Sequence, residues 1–243
     1  MLVVLGAALG SFIQTVADRV ASKRSWTRAR SECDQCHKQL GTLELVPIIS
    51  FLVLRGKCRH CQKRIALRHL TAEVFLAGLL VAAYWFTPQV LGDSIALRLG
   101  VALILFVPFI FDLHYGLLPD AVTIPAIALA LIYVALTADV FSGPLIGAVI
   151  GGGVFLFQYV VSRGKWVGAG DWRLGILLGL LLGWPHVLTM LFLAYVGGAL
   201  IAILLLLSGS KKLKDRVPMG AFLVPAALVV LWFGESLIAW LPI

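Results

Sequence analysis

The chain has 243 residues, of which 60% are hydrophobic and 13% are charged, and its mean hydropathy is +0.99. Soluble domains carry about a quarter charged residues, so this composition excludes an ordinary water-soluble fold. The 13 Phe and 7 Trp residues also exclude a disordered chain, because so much apolar surface does not stay solvated. Twenty Lys and Arg against 12 Asp and Glu give a net charge of +8.

Long apolar segments follow one another along the chain and predict about eight transmembrane helices, since roughly 20 apolar residues cross a bilayer. The segments lie at about 2–17, 71–87, 95–111, 120–138, 144–161, 174–185, 187–208 and 219–241. Gly183, Trp184 and Pro185 predict a tight turn between the sixth and the seventh segment. No basic residue precedes Arg19, so we expect the first segment to be a retained helix rather than a cleaved signal peptide.

The fold class expected from this pattern is an all-α polytopic membrane protein. Residues 1–17 would form the first transmembrane helix, and 71–243 a membrane body of seven helices. The one extended polar segment between them, 18–70, is expected to be a small cytoplasmic insert.

The basic residues test the number of spans independently. With the N-terminus outside, the inner segments are 18–70, 112–119, 162–173 and 208–218, and these hold 19 of the 20 Lys and Arg residues. An excess of Lys and Arg marks cytoplasmic loops, so span count and orientation support each other and place both termini outside. The basic side chains would face anionic lipid headgroups and the cytosol. No DNA- or RNA-reading motif accompanies them, so no nucleic-acid partner is expected.

All four cysteines fall in the insert, as Cys33-x-x-Cys36 and Cys58-x-x-Cys61. Two such pairs can hold one Zn²⁺ tetrahedrally, because each short turn offers two thiolates to the same point. Basic neighbours favour the thiolate form. The alternative is two disulfides or unpaired thiols, and a cytoplasmic location argues against stable disulfides. His37 and His60 flank the pairs, but four thiolates already complete a site. The zinc would therefore be structural and would hold the small insert folded.

Two aspartates stand at the cytoplasmic ends of apolar segments, where an ionisable group is costly without a task or a partner. Asp112 follows the apolar run 101–111, and Asp171 closes the sequence Gly168-Ala169-Gly170-Asp171. The structural alternative is a helix-dipole carboxylate for Asp171 and an interfacial ion pair with an arginine for Asp112. Glu73 and Asp120 stand at the starts of predicted helices, where the same dipole alternative applies.

Catalysis by the two aspartates requires their carboxyl groups to lie close together in one cleft. Two carboxylates in a poorly solvated cleft cannot both ionise, so one keeps its proton near neutral pH. The ionised member can then deprotonate a water while the other polarises a carbonyl group. Gly168 and Gly170 lack side chains and would let an extended peptide backbone approach Asp171.

Several short motifs occur in a fixed order along almost the whole chain. They are Gly10-Ser11-Phe12, the two cysteine pairs, Pro47-Ile48-Ile49-Ser50, Arg55-Gly56-Lys57-Cys58, Asp112 with Leu118-Pro119-Asp120, Gly168-Ala169-Gly170-Asp171 and Val217-Pro218-Met219-Gly220-Ala221-Phe222. Together they resemble the motifs of bacterial type IV prepilin peptidases, which are membrane aspartic proteases of the Gly-x-Gly-Asp class. The sequence departs from that pattern at Trp172-Arg173, where Arg173 is expected to grip a carboxylate with its planar fork.

The resemblance implies that Asp112 and Asp171 are the catalytic aspartates. It also implies prepilin or pseudopilin substrates, cut after a glycine on the cytoplasmic side of the inner membrane, as in type IV pilus or type II secretion systems. Glu73 and Asp120 are the local acids expected to meet the basic leader, with backbone contacts as the alternative. Members with a cysteine-bearing insert usually also methylate the new amino terminus with S-adenosylmethionine, so this methyl donor is implied too.

Two other functions remain open from the residues alone. Asp112 and Asp171 could form a cation or proton relay in a transporter, although transport carboxylates usually lie near the midplane within inverted repeats and no repeat is visible here. A non-catalytic zinc-bearing scaffold would leave the aspartates and the glycine loop without a purpose. Cleavage of a prepilin peptide by detergent-solubilised protein would separate protease from transporter, because transport needs a sealed membrane.

Overall fold

The computed structural model describes residues 1–25, 31–33, 35–86, 94–210 and 218–239, and this part of the chain is almost entirely helical. The helices are α1 Leu2–Ala21, α2 Ile49–Val53, α3 Leu67–Phe86, α4 Ile95–Tyr115, α5 Asp120–Thr137, α6 Ser142–Ser162, α7 Asp171–Leu182, α8 His186–Leu207 and α9 Gly220–Ile238. A 3₁₀ turn spans Thr42–Leu45. Within the described residues, β structure is limited to two isolated bridges. The predicted all-α class is therefore confirmed.

Seven of the helices are long and apolar enough to cross a membrane, namely α1, α3, α4, α5, α6, α8 and α9. The eighth predicted span corresponds to α7, which has only 12 residues. At 1.5 Å per residue it is about 18 Å long, well short of a hydrocarbon core of about 30 Å. The helix ends before Gly183 and α8 begins at His186, so the predicted turn between them is confirmed.

Two helices differ slightly in length from the predicted segments, and a few residues named in the predictions are not described by the structure. Helices α1 and α3 are each about one turn longer at their insert-facing ends than the predicted segments 2–17 and 71–87. Several residues that entered the predictions lie outside the described residues: Arg28, Arg30, Lys211, Lys212, Lys214, Arg216 and Val217.

The contacts divide the chain into two compact units, Met1–Trp85 and Phe86–Ile243. In the first unit, α1 packs against α3 through glycines spaced by four residues. A Cβ atom on Gly6 would lie 2.6 Å from the Cα atom of Ala77, and one on Gly10 would lie 2.6 Å from the carbonyl oxygen of Ala72. Such small residues let two membrane helices approach closely. The predicted division at residues 17 and 70 stays a prediction.

In the second unit, α7 is surrounded by α5, α6, α8 and α9. Its closest neighbour is α6, and glycines on both helices meet at the contact. A Cβ atom on Gly179 would lie 2.1 Å from the carbonyl oxygen of Gly147, and one on Gly175 would lie 2.3 Å from that of Gly151. Leu174, Leu177 and Leu178 are fully buried. Helix α7 is thus the central element of this unit.

The pairing of α6 with α7 is antiparallel and sets the level at which α7 begins. Gly179 lies opposite Gly147 and Gly175 opposite Gly151, so the same register places Asp171 opposite Phe155. Phe155 lies seven residues before Ser162, where α6 ends, and at 1.5 Å per residue this is about 10 Å. The segment 163–170 therefore carries the chain back into the helical body before α7 starts.

Candidate active site and metal centre

Asp112 lies in the last turn of α4 and is buried, with 4% of its surface exposed. The helix continues through Tyr115 and stops because Gly116 adopts a left-handed conformation at φ 59°, which glycine takes without steric cost. The Gly116 N–H donates to the carbonyl oxygen of Asp112 at 2.8 Å. The carboxylate therefore projects from a regular helical turn close to the end of the helix.

The partner of the Asp112 carboxylate is the beginning of α9. Its Oδ2 atom accepts a hydrogen bond from the backbone N–H of Ala221 at 3.1 Å. A Cβ atom on Gly220 would lie 2.7 Å from the same oxygen, so only glycine permits this approach. The first N–H groups of a helix have no partner within the helix and favour a carboxylate. The start of α9 thus holds Asp112 in position.

Asp171 is the first residue of α7 and is likewise buried, with 7% exposed. Its Oδ2 atom accepts the backbone N–H of Gly168 at 2.5 Å. A Cβ atom on Gly170 would lie 2.4 Å from the Cβ atom of Leu118. The missing side chain at Gly170 is thus explained by the close packing of the α4–α5 connection. Gly168 lies directly beside the carboxylate.

The two aspartates are neighbours in the same unit. Asp171 lies close enough for its charge to act on the Asp112 carboxyl group, and Asp112 contacts the start of α9. A Cβ atom on Gly220 would approach Asp112 at 2.7 Å and the side chain of Leu174 at 3.0 Å. Leu174 lies one turn after Asp171 on α7. The end of α4 and the starts of α7 and α9 therefore converge around a pair of buried carboxyl groups.

Asp120 and Arg173 form an ion pair beside this region. Asp120 is the first residue of α5, and its Oδ1 atom accepts a short hydrogen bond from the Arg173 guanidinium. The guanidinium also lies over the ring of Trp172, 4.8 Å from its centroid. Arg173 therefore binds the carboxylate of Asp120. Asp120 is one of the residues that the sequence analysis assigned to substrate binding. That assignment stays a prediction.

Glu73 belongs to the first unit and is buried, with 6% exposed. It lies two turns into α3, which begins at Leu67, so its interpretation as a helix-start charge is wrong. Its Oε2 atom accepts the backbone N–H of Ile48 at 2.6 Å. Ile48 has φ 63°, which is unfavourable for a β-branched residue. Glu73 thus holds the strained turn before α2, and its contact with substrate stays a prediction.

The four cysteines come together in the first unit. The sulfur atoms of Cys33, Cys36, Cys58 and Cys61 all lie within 4.8 Å of one another, and those of Cys33 and Cys61 are 3.9 Å apart. All four are free thiols. Tetrahedral coordination with Zn–S bonds of about 2.3 Å places neighbouring sulfur atoms about 3.8 Å apart. The cluster therefore has the donor set and the spacing of a four-cysteine metal site.

Each cysteine pair sits in the same local structure. The N–H of Cys33 donates to the carbonyl of Lys38, and the N–H of Cys58 donates to that of Lys63. The backbone N–H of Cys61 lowers the pKa of the Cys58 thiol to about 7; that of His60 acts in the same direction and burial opposes both. A lower thiol pKa favours the thiolate that binds metal.

Sequence reasoning did not assign a role to Gly220 or Ala221. Both belong to the motif 217–222, which the sequence analysis noted only as part of a resemblance. The available signal was a glycine at the predicted start of a helix, where a missing side chain often marks close approach by another group. Which group approaches could not be read from the sequence, because Asp112 lies 109 residues away.

Comparison with known proteins gives a consistent family. The profile of the bacterial peptidase A24 N-terminal domain matches residues 4–87, and that of the type IV leader peptidase family matches residues 99–203. Both profiles describe peptidase domains, in agreement with the resemblance of the sequence motifs to prepilin peptidases. No solved structure matches the chain significantly.

Curated relatives in several bacteria carry the name prepilin leader peptidase/N-methyltransferase. The Bacillus subtilis (strain 168) protein is 29% identical over 255 residues, which cover 99% of this chain and 96% of the relative. The Burkholderia pseudomallei (strain K96243) protein is 30% identical, covering 96% and 84%. The Aeromonas salmonicida (strain A449) protein is 33% identical, covering 87% and 74%. The chain therefore belongs to the type IV leader peptidase family.

Proposed function

We propose that this protein is an aspartic endopeptidase that removes the leader of type IV prepilins or pseudopilins with Asp112 and Asp171, and then methylates the new amino terminus. The observation that carries the proposal is the pair of buried, interacting carboxyl groups where α4, α7 and α9 converge. Membership in the leader peptidase family and the names of the relatives support the substrate class and the second activity.

The chemistry follows from sharing one proton between the two carboxyl groups. The ionised carboxylate takes a proton from a water, whose oxygen attacks the carbonyl carbon of the scissile bond. The protonated carboxyl group donates a hydrogen bond to the carbonyl oxygen, where negative charge develops. A proton then passes to the leaving nitrogen as the C–N bond breaks. The hydrogen bonds from Ala221 and Gly168 each engage the Oδ2 atom of one carboxyl group. The Oδ1 atom of each group would then act on the water or on the substrate carbonyl.

We place the site at the cytoplasmic side of the bacterial inner membrane. Seven apolar helices and the family membership fit a multi-pass inner-membrane protein. The excess of Lys and Arg in 18–70, 162–173 and 208–218 supports a cytoplasmic location for these segments and both termini outside, which requires the loop 163–170 and α7 together to complete one crossing. In this orientation the end of α4 and the start of α7 face the cytosol, where a basic leader is accessible. Anionic headgroups would lie beside the basic loops.

We assign Zn²⁺ to the four-cysteine cluster, where it would cross-link the two cysteine pairs. The free thiols, their spacing and their shared hydrogen-bond pattern support this assignment. Four thiolates leave no open coordination position, so the role is structural. S-adenosylmethionine is the methyl donor that an N-methyltransferase of this family would use.

A proton or cation relay through the same carboxyl groups is the competing function. It shares the two aspartates with the peptidase but predicts activity only across a sealed membrane. The family membership favours hydrolysis. Detergent-solubilised protein would cleave a prepilin if the proposal is correct, whereas a relay would show no cleavage.

The test of the proposal is cleavage of a purified prepilin by Asp112→Asn and Asp171→Asn variants. Loss of either carboxyl group removes the proton acceptor or donor, so we expect kcat to fall at least a thousandfold, in line with the loss of one member of a catalytic pair. Asp139→Asn, at an exposed position between α5 and α6, serves as the matched control and should cleave at the wild-type rate. Mass spectrometry of the released N-terminus reports methylation in the same reaction.

Substantial cleavage by either aspartate variant would contradict the assignment of the pair. Wild-type protein that folds but leaves several prepilins and pseudopilins uncut would contradict the peptidase proposal itself.

A further inference from the structure

We propose that a cavity in the first unit is the binding site for the methyl donor, S-adenosylmethionine, with Glu44 as its principal polar contact. This inference rests on the proposed methyltransferase activity and adds a location and a set of contacts. The cavity has a volume of about 600 Å³, and the described residues that line it all fall between Ser11 and Glu73. Ligand pockets in proteins measure about 300–1,000 Å³, so a nucleoside joined to an amino acid fits this space.

The walls of the cavity come from several elements of the first unit. The end of α1, the 3₁₀ turn, α2, the second cysteine pair and the start of α3 all contribute. Cys33 and Cys58 lie in the wall, so a metal at the cysteine cluster would fix its shape. The cavity is therefore built by the same segments that the cysteine pairs hold together.

Four acidic side chains line the cavity, and each lies beside another protein group. Asp18 is paired with Arg68 at 3.1 Å, Glu32 with Arg24 at 3.8 Å, and Glu73 with the backbone N–H of Ile48. Glu44 lies 3.8 Å from His60, as Glu32 does from Arg24, but of these four acids it is the one with a buried oxygen that accepts no hydrogen bond from the described residues.

The Glu44 side chain is 9% exposed. Its Oε2 atom accepts the N–H of Gly41 at 2.7 Å, whereas its buried Oε1 atom accepts no hydrogen bond from the described residues. His60 Nε2 lies 3.8 Å from Oε1, beyond hydrogen-bond distance. A buried acceptor without a donor is unfavourable. A carboxylate at a nucleoside site commonly accepts hydrogen bonds from ribose hydroxyl groups, and Glu44 offers that acceptor.

Other parts of the wall match the remaining groups of the ligand. Arg59 and Arg64 are exposed side chains of the lining, and a guanidinium binds a carboxylate through two parallel hydrogen bonds. Phe51 supplies an aromatic wall for an adenine ring. Its ring is held against Gly56, where a Cβ atom would lie 2.9 Å from Phe51 Cζ. Carboxylate, ribose and adenine thus each meet a suitable group.

The charge of the cavity disfavours the competing occupant, the basic leader of a prepilin. Six basic side chains line it: Arg19, Arg24, Arg59, Lys63, Arg64 and Arg68. A basic peptide would be repelled by this set, whereas a ligand that carries both a carboxylate and cationic groups can use acids and bases together.

When bound, the donor supplies a methyl group: the lone pair of the neutral amine forms the new N–C bond, the C–S electron pair stays on sulfur, and the amine proton leaves to water. What this chain contributes is binding and orientation. Glu44, Arg59 and Phe51 would hold the donor, and the cysteine pairs would keep the walls in place.

Binding of labelled S-adenosylmethionine to the full-length protein in detergent tests the proposal. We expect Glu44→Gln to raise Kd at least tenfold, since a charged hydrogen bond is lost. Glu235→Gln is the matched control, because Glu235 also lies beside a histidine, His186, but outside the cavity. A second variant, Ser22→Trp, places an indole in the cavity from an exposed position and should also weaken binding. Zinc content and leader cleavage should stay at wild-type values.

Ultraviolet cross-linking of the bound donor gives a readout that needs no variant. Label recovered in peptides from residues 11–73 supports the site, and label recovered only from residues 94–239 overturns it. Unchanged Kd in both cavity variants also overturns it. Wild-type protein that cleaves prepilin but does not bind the donor refutes this inference and leaves the peptidase proposal standing, whereas absent cleavage refutes the latter.

Discussion

Each of the two buried aspartates accepts a backbone N–H from a segment that contains glycine. Asp112 is held by the start of α9 and Asp171 by the loop before α7. A backbone donor is fixed by the fold, so these hydrogen bonds orient each carboxyl group. In the proposed mechanism this arrangement would leave the two groups to share a proton and to act on a substrate.

Gly220→Ala tests whether the contact with α9 matters for activity. The added methyl group would lie 2.7 Å from the Asp112 carboxylate, so either the carboxyl group or the helix must move. Misplacement by about 1 Å can reduce a rate about a hundredfold, and we expect kcat for prepilin cleavage to fall at least tenfold. Gly153→Ala is the control, because a Cβ atom there meets nothing within 4 Å. Wild-type cleavage by Gly220→Ala would refute the positioning role.

The individual site residues were predictable to different degrees. Asp112 and Asp171 stand out in the sequence because an ionisable group beside a long apolar run is unfavourable without a function. The cysteine pairs stand out by their spacing. Glu44 could not be recognised from the sequence, because acidic residues are common in a polar insert. Only the structure shows that its side chain is buried and that its Oε1 atom accepts no hydrogen bond from the described residues.

At the level of the elements, α7 determines the architecture of the second unit. It is short, it is surrounded by other helices, and it begins with Asp171. Its glycines allow α6 to approach to backbone contact, which positions Asp171 relative to its neighbours. The sequence predicted a short segment and the turn after it, but not that the helix would fail to span. That outcome follows from its 12 residues, because the helix begins only at Asp171.

Gly179→Val tests the role of this contact. The new side chain would place a carbon 2.1 Å from the Gly147 carbonyl oxygen, and overpacking of this kind costs about 1–3 kcal/mol or more. We expect a lower thermal unfolding temperature in detergent, followed by intrinsic fluorescence, together with loss of cleavage. Gly197→Val on α8 meets no atom within 4 Å at its Cβ and should unfold like the wild type. Equal unfolding temperatures for the two variants would contradict close packing at Gly179.

At the level of the whole molecule, the two candidate centres lie in different units of the chain. The carboxyl pair belongs to Phe86–Ile243, and the cysteine cluster with its cavity belongs to Met1–Trp85. Hydropathy predicted the helices of both units well because apolar length is a strong signal. It predicted the insert poorly, because a small polar segment held by four thiols has little hydrophobic pattern.

Replacement of all four cysteines by serine tests the metal assignment. The wild type should contain about one zinc per chain and the variant none, because the ligand thiolates are gone. Structural zinc supplies on the order of 10 kcal/mol of folding free energy, so residues 31–66 should become sensitive to trypsin in the variant. His37→Ala, at an exposed neighbouring position, should retain both zinc and protection. A zinc-free variant that resists trypsin like the wild type would contradict a structural metal.

Helix α7 starts about 10 Å deeper in the helical body than the level where α6 ends. This depth has a consequence for how a membrane-anchored substrate would meet the enzyme. In the proposed mechanism, a bond held at Asp171 would be cut about 10 Å inside the level where α6 ends. Lifting a pilin anchor outward by that distance would strip about two turns of apolar side chains from lipid, at a cost on the order of 10 kcal/mol. With α7 starting at this depth, the anchor would stay at its own depth in the membrane, and the hydrolytic water would enter the helical body instead.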